Sequence, residues 1–368
     1  MSSSQSPIRI LDADEARSTV LARKSAEHGE YPESLLASLT GRFGSGATPE
    51  SAVSIILDSV DREGEAGARR WSKELDGIDP DPLLLSSSAL AAAWRRTPPE
   101  IQKSLGLAAR RIERFHQMQP VESWFADDPG GRLGQRFSPI ERVGVYVPGG
   151  SAPLPSSLLM SVIPARVAGV SEIIVATPPK ADDSILAAAH LCKIDHVLQL
   201  GGAQAIGALA FGLEKLPAVD KVVGAGGLFV TLAKKAVFGR VGIDGLAGPT
   251  ETMVLADDSA NPAWVAADLL AQAEHDPLAS ALLLTPSRQL ARSVQEAVGE
   301  QLPRLSRRGT IEESLAGQGA IIIVRDLNEA VELANAYAPE HLCLSLKEPA
   351  RWAKKIRHAG GLFLGDHS

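Results

Sequence analysis

Apolar residues change their spacing about a third of the way along the chain. Up to about residue 120 they recur at helical intervals. The stretch LLLSSSALAAAWRRTPPEIQKSLGLAARRIERFHQMQP reads as two helices broken at Pro98–Pro99. Arg110, Arg111, Arg114 and His116 cluster in the second, as on a solvated helix face. From about residue 140, short apolar runs alternate with helical patterns: RVGVYV, EIIVAT, HVLQL, DKVVG, TMVLAD, ALLLT, AIIIV, LCLSL and GLFLG. That alternation implies βαβ units and mainly parallel sheets. Nine strands are many for one compact sheet, so two sheets in two α/β domains are expected. No repeat of solenoid period is present.

Three of the runs end in glycine-rich turns that open helices. VYVPGGSAP leads into SSLLMSVIPARVAGV, VLQLGGAQ into AIGALAFG, and VVGAGG into LFVTLAKKAVFG. Glycine lets backbone approach a ligand closely, and the helix that follows offers free N–H groups and a positive dipole end. In an open parallel sheet such turns gather at the carboxyl edge, where ligands bind. No stretch matches G-x-G-x-x-G. Each turn alone is explained by local geometry; three within about 80 residues suggest a sheet edge built for a ligand such as a nucleotide.

Composition narrows the class. The chain has 368 residues, enough for about two domains. Apolar residues make up 45% and charged residues 22%, as in an ordinary soluble enzyme. The formal net charge of -7, without a basic block, argues against nucleic acid as the main partner. No apolar run is long enough for a membrane span, and MSSSQSPIRILDADEARS lacks the layout of a signal peptide. The two cysteines, Cys192 and Cys343, supply neither a zinc ribbon nor a disulfide framework, so a reducing cytoplasm is the expected compartment.

Two polar interruptions stand out in the second half. LLAQAEHDP (residues 269–277) reads as the end of an amphipathic helix with Asn261 as N-cap and Pro262 at its first position. Val265, Leu269, Gln272 and Asp276 fall on one stripe, and Gln272 and His275 sit one turn apart on a shared face. Both can reach one point as metal or substrate ligands; a hydrogen-bonded polar pair between domains explains the same pattern. In NAYAPEHLCLSL, Asn328 is a candidate cap of a helix that runs to about Ala336, and Pro339 ends it. Glu340 and His341 then stand at a strand entrance, suited to acid–base work. Neighbouring strand residues point to opposite faces, so from spacing alone a surface Glu beside a packed His is the stronger account.

Taken together, GVYVPGGSAPLPSSLLM, GGAQAIGALAFG, VDKVVG, AGPTE, DLLAQAEHDP and ANAYAPEHL, in this order, resemble the histidinol dehydrogenase family from about residue 30 to 366. The resemblance implies oxidation of L-histidinol to L-histidine through an aldehyde, the last two steps of histidine biosynthesis, with two NAD, one zinc per site and a homodimer. Zinc there holds the substrate rather than acting as the redox centre. By resemblance, Gln272 and His275 are zinc ligands and substrate contacts. Glu340 activates water, and His341 is the base that takes the substrate protons and also contacts the substrate. Tyr146 and Gln204 contact NAD, and Thr250 stands where many members use a Ser hydroxyl on the substrate.

Two departures qualify the match. The third turn reads GAGG where members commonly read G-P-G-N, so Gly227 replaces an Asn that helps hold NAD. The family also continues several dozen residues beyond GLFLGDHS, with a tail that supplies an Asp and a His to zinc and a Glu near the substrate. Asp366 matches a loop position rather than that ligand, which leaves half of a zinc site in the chain as printed. The expected fold is α/β: two Rossmann-like domains with mainly parallel sheets, one inserted into the other, plus a helical N-terminal arm. The arm spans 1–37, the split zinc and catalytic domain 38–145 with 251–368, and the inserted NAD domain 146–250. The competing readings are a paralogous zinc and NAD dehydrogenase of another polar alcohol, and an inactive fragment that only binds NAD or a partner chain.

Overall fold

A computed structural model of the chain describes residues 8–22, 31, 33–119, 121–149 and 153–367. In chain order its strands are β1 (Arg9–Asp12), β2 (Leu84–Ser86), β3 (Trp124–Asp128), β4 (Gly131–Gln135), β5 (Arg142–Tyr146), β6 (Glu172–Thr177) and β7 (His196–Gln199). They continue with β8 (Lys221–Val223), β9 (Gly242–Ile243), β10 (Glu251–Ala256), β11 (Ser280–Thr285), β12 (Ala320–Ile323), β13 (His341–Ser345) and β14 (Gly361–Leu364). All nine apolar runs are strands. Two compact units result, one of residues 31–247 and one of residues 8–22 with 248–367.

The unit of residues 31–247 carries a sheet in the order β2-β7-β6-β5-β8-β9. Only β2 runs antiparallel, against β7. From β5 the chain builds outward through β6 and β7, then crosses back to lay β8 and β9 on the other side. The strand order therefore reverses beside β5, the place where open α/β sheets take ligands. Helices Pro155–Val167, Gly202–Phe211 and Leu228–Val237 follow the three glycine-rich turns, as the pattern predicts. The first of those turns lies partly outside the described residues, at 150–152.

The expected boundaries shift here. Residues 38–145 pack with 146–247 rather than with 251–368. Val53, Ile56, Leu57 and Val60 of helix Pro49–Glu63 share a core with Ile206 and Leu209. Leu90 and Leu105 share another with Val143 and Leu158. Helices Ser87–Arg96 and Pro99–Gln117 do break at Pro98–Pro99, and Arg110, Arg111 and Arg114 are exposed. β2 lies inside a run that reads as helical, because three residues are too few to show an alternation.

In the second unit the sheet order is β1-β12-β11-β10-β13-β14, all parallel. Its central strands are buried on both faces, which is why they read as continuous apolar runs. Val254, Leu283 and Ile321 face one core with Val265 and Leu269. Met253, Leu255, Leu282, Leu344 and Ile322 face the other with Leu333 and Ala334. The arm expected at 1–37 is not a separate helical piece where it is described. Arg9–Asp12 pairs in register with Ala320–Ile323 as an edge strand, Ala13–Ser18 is a short helix beside it, and residues 33–37 open helix Glu33–Phe43 of the other unit. Among the described residues no helix is long and apolar enough to cross a membrane.

Candidate active site and cofactor turns

Helix Pro262–Ala273 begins as its sequence demands. Asn261 Oδ1 accepts from the backbone N–H of Ala263 at 2.9 Å, and Pro262 takes the first position. Val265, Leu269 and Gln272 form the buried stripe. The helix ends at Ala273, earlier than the pattern predicts. His275 therefore lies beyond it, exposed, with its N–H donating to the Gln272 carbonyl at 3.3 Å. Asp276 leaves the stripe altogether: its carboxylate accepts from Leu278 N–H at 2.8 Å in the turn that follows. Gln272 and His275 remain neighbours along the backbone, but not on one helix face.

Gln272 is 7% exposed, and its Oε1 accepts from the Thr252 hydroxyl at 2.6 Å. Its Nε2 is buried without a partner. A half-turn of the amide exchanges these roles, so that nitrogen donates to Thr252 and oxygen becomes the open end. Either way one end of a buried amide is unsatisfied by protein. Thr252 carries no signal in the sequence, since Thr is ordinary in a strand. The contact exists because helix Pro262–Ala273 packs over β10.

Thr252 lies opposite His341 in the β10–β13 register, and His341 lies opposite Gly361 of β14. Paired residues of adjacent strands point to one face, so His341 shares the face of Thr252 and Gln272. Glu340 precedes the strand. Its Oε2 accepts from the Thr250 hydroxyl at 2.7 Å and from the Glu251 N–H at 3.2 Å, and lies 3.9 Å from His341 Nδ1. Neither hydrogen bond uses Oε1. The Glu340 and His341 side chains are 51% and 38% exposed, so water reaches both. The expected Glu, His, Thr and Gln therefore gather within one unit. They do so at the amino ends of its strands, not the carboxyl edge. One detail differs upstream: helix Leu327–Tyr337 is capped by Asp326, whose carboxylate accepts from Asn328 and Glu329 N–H groups, so Asn328 is inside the helix.

The chain's two thiols offer no alternative nucleophile. Burial pushes Cys192 and Cys343 up to about 11, well away from the thiolate that such chemistry needs.

In the other unit Tyr146 ends β5, 5% exposed. Its hydroxyl accepts from the Gly202 N–H at 3.2 Å, and burial raises its phenol. Gln204 is fully buried. Its Nε2 donates to Asp76 Oδ2 at 3.1 Å, while its Oε1 has no protein partner. Desolvation raises the Asp76 carboxyl. A cavity of about 320 Å³ is lined by Arg42, Phe43, Asp76, Gly202, Gln204 and Phe229. Sequence reading misses Asp76, which reaches Gln204 across 128 positions. Gly227 stands at the N-cap of helix Leu228–Val237, makes no side-chain cap and has open space where a Cβ would be.

The histidinol dehydrogenase family model matches residues 45–368. The chain belongs to the histidinol dehydrogenase family. It is 48% identical over 321 residues to the histidinol dehydrogenase of Aquifex aeolicus, covering 87% of this chain and 75% of that one. Against the Neisseria gonorrhoeae histidinol dehydrogenase the identity is 46% over 326 residues, with 87% and 76% covered. The crystal structure of the Elizabethkingia anophelis enzyme superposes with a TM-score of 0.88 at 32% identity, covering 98% of this chain and 81% of that one. Membership makes this chain an oxidoreductase and accords with the two parallel α/β sheets.

A zinc ion fits these residues poorly. Tight zinc sites have three or four protein ligands. Among the described residues no group of three His, Cys, Asp or Glu could hold a metal, and Gln272 with His275 supplies two donors at most. Zinc added to the purified chain is therefore expected to leave on dialysis. Stoichiometric zinc by elemental analysis afterwards would show that other residues complete a site.

Proposed function

We propose that the chain oxidises L-histidinol to L-histidine through the aldehyde, with NAD as acceptor, in histidine biosynthesis. The observation that carries this reading is the pairing of Glu340 and His341 at the mouth of β13, with Glu340 held by Thr250 and the Glu251 N–H. An alcohol loses a hydride to nicotinamide and its hydroxyl proton to a base. His341 takes that proton. The aldehyde then gains water, whose proton passes to Glu340, and the hydrate gives up a second hydride to a second NAD and its proton to His341. Alcohol, water and two NAD thus become carboxylate, two NADH and three protons. A base in position for each transfer contributes roughly 10²–10⁴-fold. Zinc enters none of these steps.

NAD is assigned to the unit of residues 31–247. The orphaned Oε1 of Gln204 supports this, because a buried acceptor without a donor is costly unless a ligand supplies one. A nicotinamide amide or a ribose hydroxyl is such a donor. Thr250 is bound to Glu340 here, so its hydroxyl acts on the base as well as at the substrate position that the resemblance assigns.

Gly227 favours a weaker cofactor grip rather than a different reaction. Gly227→Asn has room and can cap helix Leu228–Val237, so a gain of a few tenths of a kcal/mol in stability is expected. NAD affinity should change by no more than about tenfold. Isothermal titration checks this; a change of about a hundredfold would mean that the turn carries more than one hydrogen bond's worth of binding.

A further inference from the structure

The amphipathic stripe of helix Leu228–Val237 runs through Val230, Ala233 and Val237, and Lys234 falls on it. Lys234 is 4% exposed, an unusual place for an ammonium group. Its Nζ donates to the Gly224 carbonyl at 2.8 Å and pairs with Asp244 Oδ1. The other oxygen of Asp244 accepts from the Gly224 N–H at 2.8 Å. Both backbone polar groups of a single glycine are thus held by the two halves of one ion pair. The pair joins the end of β8, the helix after the third glycine-rich turn, and the residue after β9.

Gly224 occupies a tight place. Its φ is +118°, and a Cβ there would meet the Tyr146 carbonyl oxygen at 2.1 Å. Tyr146 in turn accepts from Gly202 of the second turn through its hydroxyl. The position of Gly224 therefore sets how the third turn lies against Tyr146, beside the point where strand order reverses.

We propose that Lys234 and Asp244 are positioning residues for NAD binding: their ion pair clamps the Gly224 peptide and pre-forms the turn 224–227 against Tyr146. Neither touches the ligand in this scheme. The pair holds the backbone at a fixed approach, so that little ordering remains for the moment of binding. Gly227 offers no side chain at the helix N-cap, and backbone placement correspondingly matters more. The inference rests on the assignment of NAD to this unit.

The test uses the intact chain with NAD itself as titrant. Lys234→Met removes the charge and the donor to Gly224. Asp244→Asn keeps an acceptor for the Gly224 N–H but loses the ionic partner. In folded variants, judged by circular dichroism, NAD Kd should weaken about tenfold for each, and the double variant should lose little more than either single one, because one clamp is broken in all three. In turnover KM for NAD should rise while kcat at saturating NAD holds, a split that a purely structural role would not produce. Should Lys234→Met fail to fold, Asp244→Asn decides alone, since Asp244 is 40% exposed. Native-like NAD affinity, within about twofold, in a folded variant overturns the clamp and leaves the cofactor assignment standing. Absence of NAD binding by the unaltered chain overturns the cofactor assignment, and the clamp's role with it.

Discussion

Glu340→Gln is expected to lower oxidation of the aldehyde by roughly 10²–10⁴-fold, with a smaller loss in oxidation of the alcohol. His341→Ala should slow both half-reactions on that scale. The distinction follows from the two roles. Glutamine at 340 can still accept from Thr250 and the Glu251 N–H through its amide oxygen, so the loop keeps its shape while the proton acceptor for water is gone. In the proposed reaction His341 takes each departing hydroxyl proton. Its ring is placed by the β13 register beside Thr252, with Phe363 at 5.8 Å between ring centroids. Steady-state rates with histidinol and with the aldehyde supplied separately check this. Near-native turnover by both variants would remove the pair from the chemistry.

Gly224→Ala should damage the unit of residues 31–247 most among single methyl additions at its glycine-rich turns. The added carbon would lie 2.1 Å from the backbone oxygen of Tyr146, and a backbone neighbour cannot rotate away as a side-chain tip can. Overpacking of this kind and a φ of +118° together cost about 3 kcal/mol or more. For a unit of this size the melting midpoint should fall by roughly 6–12 °C. NAD affinity should fall with it, since Tyr146 cannot hold its place. Gly245→Ala, two positions from the β9 end and with open space at its Cβ, is the control, expected within about 0.5 kcal/mol of the parent. Thermal melts of the two variants with and without NAD separate them. Equal midpoints would mean that the Tyr146–Gly224 approach can relax cheaply.

Much of the scaffold is visible in residue spacing. The nine apolar runs from RVGVYV to GLFLG are strands because parallel strands buried on both faces need unbroken apolar sequence. The turns after β7 and β8 open helices where glycine precedes them. Spacing fails where the determinant is a partner far away. RILD at 9–12 becomes a strand only because Ala320–Ile323 offers it an edge, and LLS at 84–86 only because β7 does. The same reason moves 38–145 into the unit of residues 31–247: their helices complete cores whose other half lies between residues 143 and 241.

At the site, short motifs carry residue identities but not their contacts. Glu340 and His341 are adjacent in sequence, and the Glu340 carboxylate is held by Thr250, ninety positions earlier. Gln272 is legible as a polar residue on an apolar stripe, whereas its partner Thr252 is not. His275 looks helical by spacing, yet the helix closes at Ala273 before the turn built by Asp276. Lys234 did carry a signal, a charge on an apolar stripe, and only the fold shows that Gly224 and Asp244 answer it.

The stoichiometry of NADH formed on limiting L-histidinol, with NAD in excess and zinc in the buffer, tests the assigned activity most directly. Carrying an alcohol to a carboxylate releases two hydrides, whatever the absolute rate. At completion two NADH per histidinol are expected, with histidine as product and no aldehyde captured by added semicarbazide. One NADH per histidinol with the aldehyde accumulating, or no NADH at all, would contradict the assignment of Glu340 and His341 to a two-step oxidation.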